Sequence, residues 1–208
     1  MAVPDNINSF EDLSALYSTW VVKYASPAYE HPLYLVWYTD TDEDQTDRLL
    51  SFRTGQIFAS ESLNSFKEII LAEKSNLVVF DNLHGWLENF DIWEPVKFYT
   101  YDVRFIINSV DQEDFNLNFF GDFVNLVNMY GDYINQDSRN SYLQVYADDE
   151  LIRQVWNYFY DNIFWPGYSN NNNDEPFDIP PLDIDISLLA IKVKELIKMI
   201  EYNIKIVS

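Results

Sequence analysis

Almost every residue able to do chemistry in this sequence is a carboxylate. Five of them, Asp40, Asp42, Glu43, Asp44 and Asp47, fall inside "VWYTDTDEDQTDRLLSF", and Asp148, Asp149 and Glu150 stand in a row before "LIRQVW". Grouped carboxylates can chelate a divalent cation, act as an acid–base pair, or meet a cationic surface. Asp40-x-Asp42-x-Asp44 opens like a calcium loop, which also requires glycine at its sixth position and glutamate at its twelfth. Gln45 and Ser51 stand there instead, so no metal is expected. A carboxylate pair for glycoside hydrolysis has no distinguishing spacing here, because acids occur throughout the chain. A solvated turn competes with partner binding as the reason for the first cluster.

The other reactive types are few. His31 and His84 adjoin Pro32 and Gly85 and lie outside any metal-ligand or nucleophile motif. A serine–histidine–acid triad could be assembled in space, as in any chain with this many serines and acids. Cysteine is absent, which removes disulfides, thiolate ligands and thiol nucleophiles, and fits a reducing compartment. The five glycines, at 55, 85, 121, 131 and 167, form no phosphate-binding loop. No cofactor is expected.

Charge separates the remaining function classes. There are 34 acids against 13 bases, a net of −21. Residues 105–185 hold 15 acids and only two bases, Arg139 and Arg153. Such a field repels nucleic acid and anionic membrane and attracts basic proteins. The 15 Tyr, 15 Phe and 6 Trp could stack bases, yet a stacking platform also needs a cationic groove. Acids interleaved with aromatics suit a protein interface better.

The elements that must position these residues are short. Ser9 is placed to cap a helix over 10–24, with Phe10, Leu13, Leu16, Tyr17, Trp20 and Val21 as its apolar stripe. "LYLVWY" (33–38) reads as a strand buried on both faces, and "RLLSFRTGQIFAS" as two short strands about Thr54-Gly55. Ser62 is positioned to cap "LNSFKEIILAEK"; "LVVF" (77–80) reads as a strand and "NLHGWLENF" as a short helix. "VKFYTYDVRFIINSV" (96–110) is the longest β-like run. Helical spacing returns over 114–134, then from Asp148 or Asp149 through "LIRQVWNYFYDNIF", and over 183–206, a C-terminal helix. Trp37 and Trp165 are assigned to the core, with an exposed anchor as the alternative for Trp165, which adjoins the Pro166-Gly167 turn. The asparagine-rich stretch 169–181 is expected to be a mobile loop. These elements predict one domain spanning 1–208, of the α+β class, with a small antiparallel sheet packed against several helices.

Three blocks resemble a family of immunity proteins from bacterial polymorphic-toxin and contact-dependent growth inhibition systems. They are the stretch from "LYLVWYTDTDEDQTDRLLSF" through "NLHGWLENF", then "DFVNLVNMYGDYIN", then "LIRQVWNYFYDNIFWPGYS", covering about residues 33–168 in the family's order. The chain departs from the family's pattern at Val127 and at Pro166-Gly167. The resemblance implies a non-enzyme that binds and neutralises a cognate basic toxin domain, of the nuclease class, in the cytoplasm. Asp40, Asp42, Glu43, Asp44, Asp148, Asp149 and Glu150 are the residues expected to meet its lysines and arginines. The first 17 residues lack the basic and apolar regions of a signal peptide, and no apolar run is long enough for a membrane span, which agrees with that compartment. The alternatives are a hydrolase using a carboxylate pair or His84, and a DNA-mimicking inhibitor of a host nucleic-acid enzyme.

Overall fold

Ser9 caps the first helix, its Oγ accepting the Asp12 N–H at 3.0 Å. The computed structural model describes residues 9–41, 45–90, 98–169 and 180–208. Within it the chain forms two compact units, one of Met1–Tyr101 with Asn203–Ser208 and one of Asp102–Tyr202.

In the first unit, α1 (Phe10–Tyr17) is shorter than its apolar stripe predicts. Ser18 turns left-handed (φ 46°), and Thr19–Ala25 becomes strand β1. Thr19, Val21 and Val22 are β-branched and Trp20 and Tyr24 aromatic, types that fit a pleated, packed surface better than a helix. β1 pairs antiparallel with β2 (Leu33–Thr39), setting Trp20 opposite Trp37 and Val21 opposite Val36. β3 (Asp47–Leu49) and β4 (Ile57–Ser60) both pair antiparallel with β2. Between them the chain turns at Gly55 (φ 97°), whose N–H donates to the Phe52 carbonyl at 2.8 Å, as the Thr54-Gly55 pair suggests.

Two further strands complete the sheet, whose order is β5-β1-β2-β4-β6 with β3 on β2. β6 (Ile204–Val207) pairs parallel with β4, so the sheet is mixed and not antiparallel throughout. The C-terminal helix expected to reach residue 206 therefore stops earlier. β5 (Tyr99–Asp102) is all that forms as a strand in the β-like run expected over 96–110. Residues 77–80 form no strand: Leu77 makes a single bridge to Phe52, and Val78 and Val79 are exposed.

α2 (Phe66–Glu73) starts later than Ser62 suggested, and Ser62 Oγ instead accepts the Ser65 N–H at 3.2 Å in the preceding turn. With α1 and α3 (Asp81–Glu88), α2 covers one sheet face; Leu13, Phe66, Ile70, Leu83 and Trp86 pack with Val21, Val36, Tyr38 and Phe58. Tyr38 stacks on Phe80 with ring centroids 3.7 Å apart. Leu33 and Leu35, which point to the opposite face, are fully buried too, as the unbroken apolar run of β2 predicts.

The described residues of the second unit are almost entirely helical. Asp102 accepts the Phe105 N–H at 3.0 Å and so starts α4 (Val103–Gln112), burying Val103, Ile106 and Val110. Asn116 likewise caps α5 (Leu117–Asn135), whose Phe119, Phe120, Phe123, Val124 and Tyr130 are buried as their spacing predicts. A 3-10 turn (Ser138–Leu143) and α6 (Gln144–Ala147) lead into α7 (Glu150–Phe159). A π turn (Tyr160–Phe164) and α8 (Trp165–Ser169) follow. α9 (Ile186–Tyr202) packs against α4 and α7 through Leu189, Val193, Leu196, Ile197 and Ile200. Lys194 fastens it to Asp111 of α4 at 2.5 Å. Most of the stretch expected to be a mobile loop lies outside the described residues. A sheet unit followed by a helical unit is the α+β class expected.

Candidate functional site

Local folding decides what each predicted acid can do. Asp40 closes the β2–β3 connection: its Oδ2 lies 3.0 Å from Arg48 Nη1, and its side chain is only 14% exposed. Asp47 Oδ1 accepts the Thr39 hydroxyl at 2.8 Å. Both acids of this cluster among the described residues are thus held by the hairpin itself; Asp42, Glu43 and Asp44 lie outside the described residues.

Asp148, Asp149 and Glu150 stand together at the start of α7 but divide in role. Asp149 is the N-cap, accepting the Leu151 N–H at 3.0 Å, and its carboxylate reaches Lys192 of α9 at 3.5 Å. Its charge works inside the unit, on a helix N-terminus and a lysine. Asp148 and Glu150 are exposed and, among the described residues, form no ion pair. They edge a polar hollow lined also by Arg153, Gln154 and Asn157. Asp161, also exposed, continues this face one turn beyond Asn157.

Further along the same helical run stands a row of rings. Trp156, Tyr160, Phe164 and Tyr168 recur every fourth residue, with successive ring centroids 4.4, 5.4 and 6.4 Å apart, and Trp165 lies 4.9 Å from Phe164. Asn128 of α5 holds the inner end: the Trp156 indole donates to its Oδ1 at 2.9 Å, and its Nδ2 donates to the Tyr160 hydroxyl at 3.3 Å. The outer end opens to solvent, with Phe164, Trp165 and Tyr168 exposed by 41, 55 and 69%. The core position expected for Trp165 is therefore corrected, while Trp37 is half-buried. Pro166 explains the π turn. It has no N–H to give, and its ring would strike the carbonyl four residues back in a regular helix. The widened turn, in which the Trp165 N–H donates to the Tyr160 carbonyl, relieves that clash.

The four-residue aromatic spacing is visible in the sequence, but a helical stripe of rings also describes a core face. Nothing in it marks the outer rings as exposed; the proline-gripped end of the helix does. Fixed, solvent-facing Trp, Tyr and Phe can anchor a protein partner, and exposed carboxylates on the same helical run can steer a basic one toward it.

Other titratable groups are placed differently. His84 Nε2 lies 3.2 Å from Glu88 Oε1 on an exposed face of α3, and His31 is exposed. Burial, and then the Asp102 carboxylate, push the Asp122 carboxyl above its usual range. Among the described residues no three His, Cys, Asp or Glu side chains are grouped to hold a metal ion.

No family model matches the sequence, and no curated protein does. The crystal structure of the SatS C-terminal domain in complex with bromine is similar in fold, with a TM-score of 0.54 at 14% identity, over 94% of this chain and 97% of that one. Among the described residues no helix is long and apolar enough to cross a membrane.

Proposed function

We propose that this chain is an immunity protein that neutralises a basic toxin domain, of the nuclease class, by binding it in the cytoplasm. The observation that carries this is one helical run, with Asp148 and Glu150 exposed at its start, Asp161 exposed within it, and Phe164, Trp165 and Tyr168 exposed at its far end, about 20 Å along the axis from Glu150. The aromatics supply buried contact area in the complex, and the acids supply encounter rate and register. The net charge of −21 extends the same field over the whole chain. Support for binding over hydrolysis comes from His84, which pairs with Glu88 on an open helix surface. Relative to the sequence expectation, Asp148 and Glu150 remain in the contact set, as do Asp42, Glu43 and Asp44, which lie outside the described residues; Asp40 and Asp149 serve the fold, and the aromatic row joins.

Growth rescue tests this function. A basic domain encoded immediately upstream should arrest growth alone and lose that effect when this chain is co-expressed. Absence of any such domain, or arrest that persists despite a stable chain, would overturn the proposal. Reversing Asp148, Glu150 and Asp161 to lysine should slow association by about ten-fold at low salt. Trp165→Ala should speed dissociation, weakening the complex by about 2 kcal/mol. Stopped-flow association and surface-plasmon dissociation rates separate the two effects.

A further inference from the structure

The first unit contains an aromatic cavity of about 310 Å³, bounded by α1, β1, β2 and β5. Its walls are built from two ring pairs. Trp20 and Trp37 are cross-strand partners on β1 and β2, with ring centroids 5.0 Å apart. Tyr99 and Tyr101 alternate along β5, with centroids 5.1 Å apart. Besides the indole N–H and phenol O–H groups of those rings, the polar residues of the lining are Glu11 and Ser14, one turn apart on α1. Ser14 is 1% exposed, and its Oγ has no hydrogen-bond partner among the described residues. That hydroxyl has essentially no surface open to the hollow, which is itself large enough for a small molecule.

We propose that this cavity binds a small organic cation, an arylalkylammonium with its apolar body among the rings and its N–H groups meeting the Glu11 carboxylate at the rim. Indole and phenol rings attract cations over their faces. A neutral apolar molecule would make no use of the Glu11 charge at the rim or of the ring faces' attraction for a cation. An anion would meet Glu11 within a chain of net charge −21. The inference concerns the sheet unit alone and stands apart from toxin binding.

Calorimetric titration of the intact chain with 2-phenylethylammonium, 2-phenylethanol and 3-phenylpropionate tests it, since the three differ mainly in the charge of the head group. The cation should bind at least about five-fold more tightly than the alcohol, and the anion should give no heat. Glu11→Gln, at an exposed site, should bring the cation down to the alcohol's affinity. Tyr99→Ala, on the exposed rim, should weaken both by about five-fold. Ser14→Ala should raise the thermal midpoint and leave cation affinity unchanged, since it removes an unmatched buried hydroxyl that the ligand does not reach. Absence of binding by the cation, equal binding of all three compounds, or unchanged affinity in both Glu11→Gln and Tyr99→Ala would overturn the proposal.

Discussion

At the scale of single residues, the acids of this chain differ by what already faces them. Asp40 meets Arg48 at 3.0 Å with both side chains largely covered, so its charge is neutralised within the hairpin. Glu150 is exposed in the first turn of α7 and forms no ion pair among the described residues. Asp40→Asn should therefore cost about 1–2 kcal/mol of stability by leaving a half-covered guanidinium unbalanced. Glu150→Lys should stay within about 0.5 kcal/mol of the parent. Urea denaturation of both variants checks the contrast; equal losses would place the two acids in the same role. Asn128→Ala should lower stability by about 1 kcal/mol and red-shift tryptophan emission, because Trp156 and Tyr160 lose their common hydrogen-bond partner. None of these pairings was legible in the sequence. It displayed the number and clustering of acids, whereas neutralisation depends on which cation the fold brings alongside.

At the scale of elements, legibility followed the strength of the periodic signal. The α5 stripe, the α9 stripe as far as Ile200 and the apolar run of β2 formed as predicted. The failures fall where one continuous apolar stretch changes from helix to strand or back. Phe10 through Tyr24 reads as one helix until Ser18 takes its left-handed turn, and residues 96–110 read as one strand until Asp102 caps α4. A capping side chain inside a hydrophobic run is a weak local signal, and the pairing that rewards the switch is non-local. The short β6 was absorbed into the preceding helix for the same reason: its partner, β4, is distant in sequence. Glycines offer a test at this scale. A methyl group added at Gly121 or Gly131 of α5 meets nothing within 4 Å, so each Gly→Ala change should stabilise by about 1 kcal/mol. At Gly85 of α3 the added Cβ would sit 2.7 Å from the Tyr17 ring, whose hydroxyl accepts from Asn89. There the same change should destabilise by about 1 kcal/mol despite the better helix propensity. Thermal melts of the three variants give the signs directly.

For the whole molecule, stability and partner binding should respond oppositely to ionic strength and separably to pH. With 34 acids and 13 bases, folding concentrates like charge, and salt relieves the repulsion over a Debye length of about 10 Å at 0.1 M. The thermal midpoint should therefore rise between 20 mM and 500 mM NaCl, by about a few degrees, while association with a basic partner slows over the same range. Asp122 adds a local pH term of known sign. Burial and then Asp102 raise its carboxyl pKa in the folded chain, so folding disfavours its charged form. The resulting penalty is absent below the unfolded value, grows as pH rises toward the folded one, and is fully present above it. Asp137 runs the other way: hydrogen bonding from Arg139 lowers its pKa, contributing stability above the usual value of 3.8 that is lost as pH falls through the folded one. Asp122→Asn should accordingly raise the midpoint at pH 7 and lose that advantage by pH 3, where the parent carboxyl is protonated in both states. A pH-independent gain would assign the effect to packing, and a loss at neutral pH would show that the Asp122 charge stabilises the fold.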